Sequence, residues 1–139
     1  MSFVGCKLLL IQGSDLLTYL RDDKPGLPWA DLWDLPGGGR EGDETPEACV
    51  LRELGEEFGL HLPPSRLLWQ REFPSMMDAS RRSHFFAGQI TPAEIAAIHF
   101  GDEGQHWQMM PTATFLAHPA GVPELQRRTR LALGALGWL

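Results

Sequence analysis

A chain of 139 residues with 43% hydrophobic and 22% charged content is sized for one globular domain, 1–139, with enough apolar residues for a core. Its net charge of −6 argues against a nucleic-acid polymer held by charge alone, but permits a small phosphorylated molecule whose charge a metal ion meets. Two cysteines without metal-ligand spacing, no apolar run of the ~18–20 residues a membrane span needs, and no signal-peptide pattern at the start together predict a cytoplasmic protein without membrane association.

In chain order, the aliphatic run 7–12 reads as a buried strand. It is bounded by Gly13-Ser14 and followed by a second strand, 16–20, at hairpin distance. Residues 21–28 are a loop by composition, and Arg21 and Lys24 in it either contact phosphate or base or carry solvated charge. Trp29 lies in the same loop and is a candidate for a substrate-facing ring. Residues 32–35 are expected to form a short strand leading to a turn of three glycines, Gly37, Gly38 and Gly39. Trp33 in that strand either stacks on a base or packs in a core.

The next element is the most informative. Thr45 is a good N-cap, Pro46 loses no needed hydrogen bond at the first helical position, and Gly59 suits a left-handed helix end. Val50, Leu51, Leu54 and Phe58 form an apolar face, whereas Glu53, Glu56 and Glu57 share another, roughly 5–6 Å apart at Cβ. Glu56 and Glu57 also sit in the last turn, against the negative end of the helix dipole, at a cost of about 0.3–1 kcal/mol each. Arg52 offsets part of this, and a divalent cation would offset the rest. Carboxylates without histidine or thiolate partners select a hard ion, Mg²⁺ or Mn²⁺.

Beyond this helix, 66–73 and 83–90 read as strands joined by a connector containing Met76, Met77, Arg81 and Arg82. A short helix with a capping box opens at Thr91 and runs to about Ala97. A strand ends at Met109-Met110-Pro111 and a helical turn covers 112–116. A terminal helix, 122–139, carries Leu125, Thr129, Ala132, Leu136 and Leu139 on one core-facing stripe. Cys49 reads as a small helix residue packed one turn before Glu53.

Gly38, Glu44, Arg52, Glu53, Leu54, Glu56, Glu57, Gly59 and Leu60 fill every defined position of the pattern Gly-x5-Glu-x7-Arg-Glu-U-x-Glu-Glu-x-Gly-U, where U is aliphatic. This is the Nudix box, and the chain resembles a single-domain, MutT-like Nudix hydrolase. The resemblance implies an α/β fold with a mixed β-sheet sandwiched between helices (α/β/α). It implies Mg²⁺-dependent hydrolysis of a nucleoside diphosphate linked to another group. Glu56 and Glu57 would be metal ligands and Glu53 a ligand or the base, with a Gly37 carbonyl at the metal and Arg52 holding a neighbouring glutamate.

Glu103, before Gly104-Gln105, matches a further metal-facing carboxylate of such proteins and would act as ligand or base; Asp102 is its rival. Arg21, Lys24, Trp29, Trp33 and Arg40 make up the candidate substrate-binding set. The expected partner is a small nucleotide-like substrate, and the expected assembly a monomer or homodimer. A (d)NTP pyrophosphohydrolase, including one that clears oxidised nucleotides, comes first. An ADP-ribose, nucleotide-sugar or dinucleotide pyrophosphatase comes second, and a non-catalytic nucleotide-sensing module is the reading from a different class. The chain has no asparagine, the residue with which MutT-like proteins read purines, which weakens transfer of that specificity.

Overall fold

The computed structural model describes residues 2–138. Its central strand, β1 (Phe3–Gln12), begins at Phe3 rather than at Lys7. Gly5, which interrupts the apolar run in the sequence, lies where a Cβ would come within 2.9 Å of the Gly38 carbonyl oxygen. The residue that hides the start of the strand is therefore the one that lets a neighbour close on it. A tight turn with Gly13 at φ 61° leads into β2 (Asp15–Leu20), antiparallel to β1 with Ile11 opposite Leu16.

After the loop 21–32 come β3 (Trp33–Asp34), antiparallel to β2, and β4 (Gly37–Gly39). The three glycines, expected as a turn, are a strand paired antiparallel with Gly5, Cys6 and Lys7. Side chains would prevent this approach. Gly37 has φ 139°, and a Cβ on it would overlap the Cys6 carbonyl.

Helix α1 (Pro46–Phe58) follows with the caps expected of it. Thr45 Oγ1 accepts from Ala48 N at 3.1 Å, and Gly59, at φ 66°, donates to Gly55 O at 3.0 Å. Strands β5 (Leu67–Pro74) and β6 (Arg82–Gln89) form an antiparallel hairpin, and β6 runs parallel to β1. Helix α2 (Pro92–Ala96) carries the capping box of Thr91 and Glu94. Strand β7 (His106–Pro111) pairs with β2, and α3 (Thr112–Ala117) and α4 (Pro123–Leu136) complete the order. The sheet runs β3-β2-β1-β6-β5, with β4 also on β1 and β7 also on β2.

Leu8, Leu9 and Leu10 are consecutive and all fully buried because both faces of the sheet are covered. Leu8 and Leu10 pack with Val50, Leu54 and Phe58 of α1, and Leu9 and Ile11 pack with Leu125, Ala132 and Leu133 of α4. Each such side chain contributes about 1.5–3 kcal/mol on burial. The architecture is thus the α/β layering of helices about a mixed sheet. Among the described residues, no helix is long and apolar enough to cross a membrane.

Helix α4 stops at Leu136, where Gly137 takes φ 70°; Leu139, placed on its stripe from the sequence, lies outside the described residues. The inward face includes a residue the apolar stripe does not announce. Arg128 is 2% exposed and donates to Glu124 Oε2 (2.8 Å), Ser83 Oγ (3.3 Å) and Pro74 O (2.7 Å), tying α4 to the β5–β6 hairpin. Hydrogen bonds from Arg127 and Arg128 pull the Glu124 carboxyl from its ordinary 4.5 down to about 2. A depressed carboxylate stabilises the fold above its unfolded value and loses that contribution as it protonates. Glu124→Gln should therefore destabilise the protein at pH 7 by about 1–3 kcal/mol. In paired thermal melts the gap to the parent protein should close as pH falls from about 4.5 toward 2.

Candidate active site

The carboxylates of α1 share a face, but their side chains part. Glu57, 8% exposed, turns inward and accepts from Gly37 N at 2.9 Å. Burial pushes its pKa up to about 8, against the pull of Lys7 and of the Gly37 N–H. Glu53 is half-buried, with its pKa also raised by burial, while the Glu56 side chain is 57% exposed. Among the described residues no three His, Cys, Asp or Glu side chains are already converged to hold an ion.

Arg52 gathers the rest. Its guanidinium donates to Glu44 Oε2 (2.6 Å), Glu53 Oε1 (3.1 Å), Glu56 Oε2 (3.1 Å) and the Gly39 carbonyl (2.8 Å). Glu44 in turn accepts from Glu41 N at 2.8 Å, so the loop before α1, the glycine strand and the acidic face meet on one cation. Only a planar, multi-donor head can do this.

β4 divides this face from a cavity of about 430 Å³. On one side, the Glu53 carboxyl lies so close to Gly38 that a Cβ there would meet it at 2.6 Å. On the other, Gly38 and Gly39 line the cavity with the start of β1, the loop 21–32, the β5–β6 tip and the start of α4. Trp29, Met76 and Met77 supply apolar wall, and Lys7, Arg21 and Arg81 supply positive charge.

Much of that charge is already engaged by Asp34, a residue to which the sequence assigned no role. Asp34 is 2% exposed and accepts from Lys7 Nζ (2.9 Å), Arg21 Nη1 (2.8 Å), Tyr19 Oη (3.0 Å) and Leu35 N (2.6 Å). Burial alone would raise its pKa; Lys7 and Arg21 outweigh that and lower it. The available signal was a charged residue inside an apolar strand, which implies a buried counter-ion.

The sequence-derived substrate residues divide. Arg21 and Trp29 line the cavity. Lys24 does not; its side chain is 72% exposed, with Nζ 3.6 Å from Asp22. Trp33 packs in the core beside α4, edge-on to His106 at 5.3 Å, and is not a cavity residue. Arg40 lies over the Phe3 ring at 4.6 Å and donates to Glu44 O, bracing the loop before α1. Glu103 is exposed in the segment 101–105, which docks on the end of α1 through Gly101 N to Glu57 O at 2.9 Å. Cys49 is buried against Cys6, with 3.1 Å between the sulfurs.

An acidic helix face thus stands beside a glycine strand, on a mixed sheet covered by helices. The NUDIX domain model matches residues 4–130, and the chain belongs to the Nudix family. It is 30% identical over 100 residues to a putative 8-oxo-dGTP diphosphatase of Bacillus subtilis (strain 168), covering 72% of this chain and 61% of that protein. It is 45% identical over 58 residues to an RNA pyrophosphohydrolase of Acidiphilium cryptum (strain JF-5), covering 42% of this chain and 34% of that protein. The chain thus spans less than two thirds of the length of these curated relatives. Among solved structures, a bifunctional NMN adenylyltransferase/ADP ribose pyrophosphatase from Francisella tularensis, complexed with AMP and a Mn ion, superimposes with a TM-score of 0.72. That match covers 95% of this chain and 41% of the other at 23% identity, a likeness of fold.

The Arg52 hub makes a sharp expectation. Arg52→Met should cost about 1–3 kcal/mol in thermal or urea unfolding. Arg52→Lys should recover little of it, because a single ammonium cannot replace a guanidinium that bridges several oxygens in different directions.

Proposed function

We propose that this chain is a divalent-cation-dependent pyrophosphohydrolase of nucleoside triphosphates, (d)NTPs, including oxidised ones, and that residues 1–139 work as one Nudix hydrolase domain. The observation that carries this reading is the row Glu53, Glu56 and Glu57 set across one strand of glycines from a cavity of nucleoside size. The printed functions of the Bacillus and Acidiphilium relatives support it as a class of reaction.

The donor set fits a hard ion. It is all oxygen, and Glu57 is a carboxylate buried without a cation of its own, which is why its pKa rises. In this reading Glu56 and Glu57 are the primary ligands, with the Gly37 carbonyl beside them. Glu53 and Glu103 complete the set as ligand and base, in an order that mutation decides. Mg²⁺ or Mn²⁺ bound there supplies neutralisation of phosphate charge and a lowered pKa for water.

The chain's own residues do the remaining work. The base, Glu53 or Glu103, takes a proton from the water that attacks phosphorus. Arg52 holds Glu53 and Glu56 in place, as its contacts favour. Arg81, which lines the cavity, meets a phosphate. Trp29, Met76 and Met77 offer apolar surface to a base. Purine selection by asparagine is unavailable to this chain, so base selection falls to the cavity wall and to Ser75 and Asp78.

A panel of dNTPs, 8-oxo-dGTP, ADP-ribose and dinucleoside polyphosphates with Mg²⁺, run in H₂¹⁸O, tests the reading. Nucleoside monophosphate and pyrophosphate should appear from a triphosphate, with the label marking the attacked phosphorus. Turnover of ADP-ribose or dinucleotides alone would move the substrate class. Tight nucleotide binding with no turnover of any compound would make the chain a sensing module. Glu57→Gln should lower kcat by at least about 100-fold while the thermal melt without metal stays near that of the parent. Parent-like turnover by this variant at saturating Mg²⁺ removes Glu57 from the metal site.

A further inference from the structure

The loop 21–32 that brings Trp29 to the cavity has unusual backbone geometry. Trp29 lies at φ 53° and Asp31 at φ 60°, in the left-handed region that bulky residues rarely adopt. Something must hold them. Within the loop, Leu32 N donates to Trp29 O (3.2 Å), Asp31 N to Asp22 O (3.1 Å) and Arg21 Nε to Pro28 O (3.0 Å). Among the described residues, Gln105 is the one side chain from outside the neighbouring strands that hydrogen-bonds to this loop. Its Nε2 donates to Arg21 O and to Asp31 Oδ1, both at 2.8 Å. Both partners are acceptors only, which fixes the orientation of the amide.

The segment carrying Gln105 is anchored at both ends. Toward the loop, Gln105 N donates to Leu20 O (2.8 Å) and Gly104 N to Asp22 Oδ2 (3.3 Å). Gly104 is at φ 92°, where a Cβ would come within 2.9 Å of the Tyr19 ring. Toward the carboxylate helix, His99 N donates to Phe58 O and Gly101 N to Glu57 O, both at 2.9 Å. Residues 99–105 therefore run from the last turn of α1 to the loop that presents Trp29.

We propose that Gln105 is a positioning residue for substrate binding: its amide clamps the loop 21–32 so that Trp29 stands at the cavity wall, in fixed register with the last turn of α1. The clamp rests on the reading of the cavity as the nucleotide site. Gln105 itself is exposed and does not line the cavity, so it acts through Trp29. Its removal frees two acceptors that water can satisfy, which leaves the fold standing and loosens the loop.

The test uses protein labelled with 5-fluorotryptophan, with the Trp29 ¹⁹F line assigned by Trp29→Phe. In Gln105→Ala the Trp29 line should shift or broaden while the lines of Trp33, Trp69 and Trp138 hold their positions. With dGTP and Mg²⁺, KM should rise about fivefold or more with kcat held within about twofold, the signature of lost binding rather than lost chemistry. Asp31 separates the clamp from backbone strain. Asp31→Gly tolerates the positive φ but removes the acceptor, and should reproduce Gln105→Ala; the double variant should be no worse than either single one. Asp31→Asn keeps an acceptor oxygen and tolerance of that φ, and should restore parent behaviour. An unmoved Trp29 line with unchanged KM in Gln105→Ala overturns the proposal, as does a fall in kcat at constant KM. If the parent protein turns over no dNTP, the functional reading fails by itself, and the ¹⁹F comparison still decides whether Gln105 positions Trp29.

Discussion

The arrangement depends on one contact, the Glu57 carboxylate accepting from the Gly37 amide inside the protein. For a carboxylate in the last turn of a helix to reach a backbone N–H of a strand, helix and strand must lie closer than side chains on the strand would allow. β4 has none. The same absence lets β4 pair with β1 at Gly5, where again no side chain stands in the way. Three glycines, Gly5 on β1 and Gly37 and Gly38 on β4, thus bring the acidic helix against the sheet. The cost is a carboxyl whose burial raises its pKa to about 8. Sites that shift a carboxylate this far are where such chemistry is found, and here the shift has a clear physical source in desolvation.

The charges around the cavity follow a second rule, that a buried charge comes with its partner. Asp34 enters the wall with Lys7, Arg21 and Tyr19, and Arg128 with Glu124, Ser83 and the Pro74 carbonyl. These groups are structural as much as receptive, since each cation already has an anion. A wall built this way presents polar shape with little net positive charge, in keeping with a chain of net charge −6. On the proposed reading, phosphate charge is met from the carboxylate side of β4 rather than by this wall.

How much of this was legible in the sequence depended on how far apart the cooperating residues lie. Thr45, Pro46 and Gly59 mark α1 by local capping chemistry, and Glu53, Glu56 and Glu57 share a face by helical spacing alone; both are short-range facts. That Gly37–Gly39 form a strand rests on Gly5, more than thirty residues earlier, and the sequence pattern could offer only a turn. Trp33 was ambiguous, and Arg40 was assigned to substrate, for the same reason. Whether a tryptophan stacks on a ligand or on His106, and whether an arginine meets phosphate or covers Phe3, is settled by residues remote along the chain. The partners of Asp34 are likewise three separate positions on other strands or their ends, so its role appears only when the sheet is assembled.

The position of β4 also sets the acidic face of α1 apart from the cavity. One side of Gly38 touches the Glu53 carboxyl, and the other opens on the cavity. On the proposed reading, phosphates meet the acidic face of α1 and the nucleoside meets the cavity. On that reading, substitutions in the loop 21–32 or at the β5–β6 tip act first on what is bound. Substitutions at Arg52 or in β4 disturb the carboxylates whatever is bound. The two halves are not independent, however. The segment 99–105 touches the end of α1 and the Trp29 loop at once, so a shift in the reading wall can reach the carboxylate helix through a path other than β4.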